Sequence, residues 1–237
     1  MIIKIILIIL LILYYPYNNH IVESFNKKLG VILPARYNEH IDHDFLRELS
    51  NYLERKNIDY KIIVIRQLNR NFNKGALYNA AVKIDDECDY FAFQDFELLP
   101  VSNADYQTYP TTPRHLLNKE SKCKSCVFSS GGIIVINRKN FKNVNGYSNK
   151  LIGLSDADFL YRLENSKLQF NKCEENVSCQ GIRGRHIARI SEQIEWLKKI
   201  NKNPDSPWYD GYKQTRYKLI NYKSIINKCI MYNITLQ

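Results

Sequence analysis

The sequence has no internal repeat, no compact basic helix, no RNA-binding motif and, after residue 17, no long apolar run. The missing repeat excludes a solenoid or propeller. The missing basic motifs leave nucleic acid without a recognition element, although Lys and Arg number 34 against 24 Asp and Glu. A formal charge of +10 favours anionic partners in general. Here the lysines are scattered through a chain rich in Asn, Ile, Lys and Tyr, so the charge reads as compositional bias and nucleic acid is not counted as a partner. Disorder is excluded as well, because hydrophobic content is 45% against 24% charged. A chain of 237 residues suits one domain of ordinary size.

What is present begins with Ile2 to Tyr17, an apolar run with Lys4 near its start. It is short against the ~20 residues of a spanning helix, and no small-x-small cleavage site follows it. Tyr14, Tyr15 and Tyr17 suit a membrane interface. The expectation is an uncleaved type II signal anchor over residues 1–17, a polar stem over 18–28, and a catalytic body over 29–237 in the lumen of a Golgi- or ER-type membrane. Sequons at Asn176 and Asn233 agree with a lumenal body. Six cysteines permit disulfides there, but spacing does not give their connectivity. Cys123 and Cys126 form a C-x-x-C pair open to zinc or redox chemistry, yet no second ligand pair has matching spacing.

Along the body, Leu29 to Pro34 reads as a strand running into a polar loop, and residues 43–55 carry helical spacing through Phe45, Leu46, Leu49, Tyr52 and Leu53. Tyr60 to Arg66 is a second strand and Asn73 to Val82 a second helix. A third strand spans Asp89 to Pro100, where Phe91 and Phe93 share a face with Asp95 and Glu97. Strand, helix, strand, helix, strand is the pattern of a nucleotide-binding α/β sheet, whose ligands bind at the carboxyl ends of the strands. Two carboxylates there can hold one hard cation; the alternative is a strand running out into solvent. Further on come a loop-rich region over 100–125, a strand Val127 to Ile136 broken by paired glycines, and a short helix from Phe141 capped near Gly146. A loop enters a helix at Leu151 to Leu163, with Ser155 as N-cap. Residues 191–202 are helical, and a strand closes the chain at Ile230 to Leu236.

Seven motifs in order then resemble the β-1,4-galactosyltransferases, inverting enzymes with a GT-A fold. They are Pro34-Ala-Arg-Tyr-Asn38, Phe72-Asn-Lys-Gly-Ala-Leu-Tyr-Asn79, Phe93-Gln-Asp-Phe-Glu-Leu-Leu-Pro100, Pro113-Arg-His115, Gly131-Gly132 with Phe141 and Asn145-Gly146, Gly153 to Leu163, and Asp210-Gly211. The resemblance implies a single α/β domain that moves galactose or N-acetylgalactosamine from a UDP-sugar to a glycan hydroxyl, with Mn²⁺, or Mg²⁺, as cofactor. It places Pro34, Ala35, Arg36, Asn38, Phe72, Lys74, Asp95, Phe96, Gly131 and Gly132 around the nucleotide-sugar. Glu97 and His186 would ligate the metal, and Asp156 would act as general base. Ser129, Gly153, Ser155 and Asp158 would belong to the donor and acceptor loops.

The chain also departs from that family. Glu97 stands where an Asp is usual, Arg183 occupies the place of a further metal ligand, and Ser155 and Ala157 replace flanking acids. Ser129 stands for an aromatic, which leaves room for an N-acetylated sugar, and Ile152 stands for a loop tryptophan. These departures motivate an alternative, a weakened or inactive relative that binds sugar or a partner protein.

Overall fold

The computed structural model describes residues 27–96, 98–100, 104–116, 133–166, 168, 171–172, 179–181 and 210–237. The expected anchor, most of the stem, the C-x-x-C pair, the Asn176 sequon and the helix at 191–202 lie outside the described residues. So do Glu97, Ser129, Gly131, Gly132, Arg183 and His186. Among the described residues no helix is long and apolar enough to cross a membrane.

An eight-stranded sheet organises the molecule, in the order β7-β5-β6-β3-β1-β2-β10-β9. Its centre is β1 (Leu29–Ala35), which pairs in parallel with β2 (Tyr60–Gln67) and with β3 (Tyr90–Phe93). All residues of β1 and β3 are buried, as a strand covered on both faces requires. β6 (Ile134–Asn137) runs antiparallel to β3. Beyond it come two-residue strands, β5 (Arg114–His115) and β7 (Asn171–Lys172). On the other side β10 (Cys229–Leu236) is parallel to β2, and the edge strand β9 (Tyr217–Ile226) is antiparallel to β10.

Helices flank both faces. Helix α1 (His43–Arg55) starts where Asp42 accepts the backbone N–H groups of Asp44 and Phe45, at 2.9 and 3.1 Å. Its Phe45, Leu46, Leu49 and Leu53 pack on Val31, Leu33, Ile62 and Val64. Helix α2 (Lys74–Ile84) starts at Asn73, whose side chain accepts from the Ala76 N–H at 3.0 Å. It covers the opposite face, on Ile32, Ile63, Phe91 and Phe93. Phe93 is the hub of that face. Its ring lies 4.8 to 6.0 Å from those of Tyr78, Phe141, Tyr147 and Phe159. Each such pair adds about 0.5–1.5 kcal/mol beyond area burial. Together they tie β3 and α2 to α3 (Arg138–Asn143) and α4 (Ser155–Asn165).

Three expectations need correction. The single strand expected from Asp89 to Pro100 is β3, a turn, and β4 (Leu98–Pro100), and β4 pairs with β8 (Cys179–Gly181) in a separate ladder. The side chain of Gln94 closes that turn. It donates to the Leu98 carbonyl and accepts the Tyr106 hydroxyl, while the Leu98 N–H donates to the Asp95 carbonyl. The strand expected to end at Ile136 continues to Asn137, which caps α3. Ser155 is not an N-cap. Leu154 holds that position without a side-chain bond, because Ser155 is turned inward and 5% exposed.

Candidate active site

The site is built where α2 and α4 meet at the carboxyl edge of the sheet. Gly75 permits the approach, since a Cβ there would lie 2.8 Å from the Ser148 carbonyl oxygen and 3.1 Å from the Ser155 Cβ. The neighbouring residue, Lys74, is thereby carried to the start of α4. Its Nζ donates to Asp95 Oδ2 at 2.8 Å and to Asp156 Oδ2 at 2.9 Å. One ammonium thus joins the end of β3 to the first turn of α4. The Tyr78 hydroxyl, one turn along α2, donates to the Gln94 carbonyl at 3.3 Å and to Asp95 Oδ1 at 3.4 Å.

Burial works against the charge of Lys74, but the two carboxylates outweigh it and hold its pKa above the usual lysine range. Burial pushes the Asp156 carboxyl upward and Lys74 pulls it back, with Asp95 adding to the upward push; the net shift is upward. A carboxylate made more basic than usual, yet kept beside a fixed cation, is suited to accept a proton. Both acids stay open to solvent on one side, with side chains 35% and 25% exposed for Asp95 and Asp156.

The segment before α4 is fixed from below. Asp210 accepts from the Ser148 hydroxyl and from the N–H groups of Asn149 and Lys150, at 2.8 to 3.0 Å. Gly146 is required there. Its φ is +58°, and a Cβ would fall 2.3 Å from Asn79 Oδ1. On the donor side, the guanidinium of Arg36 stacks over the Phe72 ring at 4.5 Å, which pairs the loop after β1 with the loop after β2. Asn38 is exposed in the turn beside it, and Pro34 and Ala35 are buried as the last residues of β1.

The description "N-terminal region of glycosyl transferase group 7" matches residues 20–111, and "N-terminal domain of galactosyltransferase" matches residues 114–189. The chain belongs to glycosyl transferase group 7. It is 29% identical over 212 residues to β-1,4-galactosyltransferase 7 of Drosophila melanogaster, covering 84% of this chain and 65% of that protein. It is 29% identical over 189 residues to the xylosylprotein 4-β-galactosyltransferase of Caenorhabditis elegans, covering 76% and 65%. With β-1,4-galactosyltransferase 4 of Rattus norvegicus the identity is 30% over 221 residues, covering 89% and 63%. The chain therefore spans just under two thirds of the length of these relatives. Among solved structures, a Drosophila β-1,4-galactosyltransferase 7 variant in complex with manganese, UDP-Gal and xylobiose superposes with a TM-score of 0.68 at 23% identity, covering 89% of this chain and 94% of that one. A mannosyltransferase of Pyrobaculum calidifontis with GDP-Man and Mn²⁺ gives 0.54 at 10% identity, covering 84% and 74%. The fold is the expected GT-A fold, α/β with a mixed sheet.

For a group 7 chain a divalent cation is implied, and the donor set can be tested for fit. Among the described residues no group of three His, Cys, Asp or Glu could hold a metal. The two expected ligands, Glu97 and His186, lie outside the described residues; a carboxylate and an imidazole are donors that fit a manganese-type ion.

The structure separates the remaining candidates. Phe96 packs on the α1 side of the sheet, its ring 5.5 Å from that of Phe45. Asp158 is not a loop residue. It is 3% exposed, ion-paired with Arg162 at 2.7 Å, and accepts the Ser148 N–H. Ser155 packs toward Gly75, and Gly153 sits in the exposed turn before α4. Sequence reasoning missed the bridging role of Lys74, the Tyr78 hydroxyl and the Asp210 anchor. Lys74 and Asp210 fall inside quoted motifs, but nothing in their spacing tells which carboxylate or which loop they reach.

Proposed function

We propose that this chain is an inverting, metal-dependent glycosyltransferase that moves galactose, or N-acetylgalactosamine, from a UDP-sugar to a hydroxyl of a glycan acceptor. The observation that carries the reading is the convergence of Asp95 and Asp156 on Lys74 at the carboxyl edge of a GT-A sheet. The group 7 relatives named β-1,4-galactosyltransferases, and the neighbour holding manganese, UDP-Gal and xylobiose, support it.

Arg36, stacked on Phe72, and Asn38 border the space for the nucleotide, with Asp95 toward the sugar. Asp156 takes the proton of the acceptor hydroxyl as its oxygen bonds to the anomeric carbon and the bond to the diphosphate breaks on the opposite side. Lys74 holds Asp156 in place for that transfer. Glu97 and His186 would hold Mn²⁺ or Mg²⁺, which when bound neutralises charge on the leaving diphosphate. The apolar run Ile2 to Tyr17 and the two sequons support a type II anchor with a lumenal body in a Golgi- or ER-type membrane.

A screen of UDP-sugars against glycan acceptors, with and without Mn²⁺, tests the reading. Metal-dependent transfer from UDP-galactose or UDP-N-acetylgalactosamine is the expected result. Failure to cleave any UDP-sugar with Mn²⁺ present would favour a binding protein in which the substitutions around Glu97, Ser155 and Arg183 have removed catalysis.

A further inference from the structure

On the α1 face of the sheet, behind the loop that carries Arg36, lies a cleft of about 370 Å³ that the proposed transfer does not use. Its floor is apolar, formed by Ile41 and Met231, which are 6% and 2% exposed. Its walls are basic. Arg66 enters from the end of β2, Lys223 from the edge strand β9, and His40 and His43 from the start of α1. The acid among the lining residues is Glu39, and its carboxylate already accepts the Arg36 N–H at 2.8 Å.

Two features make this more than a basic patch. Arg66 donates through Nη2 to the Glu39 carbonyl at 3.1 Å, which fixes its guanidinium beside the cleft. Lys223, His40 and His43 make no ion pair among the described residues, although three of the four basic groups sit on different elements and converge on one space. A divalent cation is disfavoured, since Arg66 and Lys223 would repel it. An apolar ligand would leave every wall group unpaired.

We infer that this cleft is an oxyanion-binding subsite that takes a phosphate or sulfate group, either as the ion or carried on a sugar. The volume exceeds what the anion alone needs, so a sugar bearing it also fits. Arg66 holds the carbonyl of Glu39, and the carboxylate of Glu39 holds Arg36, so an anion on Arg66 braces the loop proposed to border the nucleotide. The coupling rests on the glycosyltransferase reading; the anion site does not.

The test is isothermal titration of the full chain with sodium sulfate against sodium chloride at matched ionic strength, with a sulfated and a neutral disaccharide as further titrants. Saturable sulfate binding is expected, weakened about tenfold in Lys223→Ser and in His40→Asn, both at exposed positions that leave the core intact, and weakened further in Arg66→Met. Arg36→Ala should leave sulfate affinity unchanged, which separates this cleft from the proposed diphosphate site. Equal affinity for sulfate and the sulfated sugar assigns the site to the ion, and tighter binding of the sugar assigns it to a substituted glycan. The inference is overturned if sulfate binds no better than chloride, if Arg36→Ala abolishes binding while Lys223→Ser does not, or if the neutral disaccharide binds as well as the sulfated one.

Discussion

Two lysine–carboxylate clusters stand at opposite ends of the same sheet, and they differ in how their central carboxylates are closed off. At the amino edge, Lys61 of β2 reaches Asp85 at 3.3 Å and Glu87 at 2.8 Å, and Arg138 reaches Asp85 at 2.7 Å. The Asp85 carboxylate has no exposed surface, and it also accepts the Cys88 N–H at 2.9 Å. Arg138 is spent on the carbonyls of Val82, Asp85 and Cys88. Asp85 is sealed and fully partnered, so it clasps β2, α2 and α3 together, while Glu87 at the rim of the cluster stays 50% exposed. At the carboxyl edge, Lys74 joins Asp95 and Asp156 with the same chemistry, but both acids keep an open side. The difference lies in closure at the central carboxylate, since water reaches Asp95 and Asp156 but not Asp85.

The contrast can be broken from either end. In Asp85→Ala, Lys61 and Arg138 lose their buried partner, and urea unfolding should show a loss of about 3–5 kcal/mol. A loss under 1 kcal/mol would mean that the amino-edge clasp is not sealed. Asp156→Asn should leave stability almost unchanged and lower transfer by roughly a hundredfold to ten-thousandfold, with nucleotide affinity retained. An undiminished transfer rate in that variant removes Asp156 from the role of base.

Lys74→Met sharpens the comparison further. The rate should fall roughly tenfold to a hundredfold as Asp156 loses its tether. Lys74 lowers the pKa of Asp156, so its removal lets that value rise, and the acidic limb of the kcat/KM profile should move to higher pH. An unmoved limb would show that Lys74 acts on the sugar alone. The smallest effect is expected in Glu87→Gln. Lys28 and Lys61 hold the Glu87 carboxyl down to about 2, against an ordinary value of 4.5. Its contribution is therefore present above the ordinary value and lost as pH falls toward about 2. The side chain is 50% exposed, so thermal unfolding near neutral pH should differ by under about 1 kcal/mol, with the difference vanishing in acid.

Much of the architecture is legible in the sequence where burial imposes a period. The spacing of Phe45, Leu46, Leu49, Tyr52 and Leu53 predicts a helix over 43–55, and α1 occupies those residues. The apolar runs at 29–34 and 60–66 are β1 and β2 within a residue at their ends. The strand β9 escapes notice because seven of its ten residues are exposed, so neither alternation nor a continuous apolar run marks it. The break after β3 escapes for another reason. It depends on one side chain, Gln94, clamping the Leu98 carbonyl and the Tyr106 hydroxyl, and periodicity does not register such a bond.

The candidate site divides along the same line. Asp95 and Asp156 are 61 positions apart in the sequence and come forward there through their motifs, Asp95 with a plain alternative as a wet strand end. By itself the sequence determined the fold class, the succession of strands and helices from Leu29 to Phe93 and the acids Asp95 and Asp156 as candidates, because local period and residue chemistry are properties of short segments. Only the tertiary structure decided that Asp158 is spent on Arg162, that Asp210 pins the segment leading into α4, and that Lys74 ties Asp95 to Asp156. The physical reason is the packing of α2 on α4 at Gly75, which sets a distance of under 3 Å between groups that no local pattern brings together.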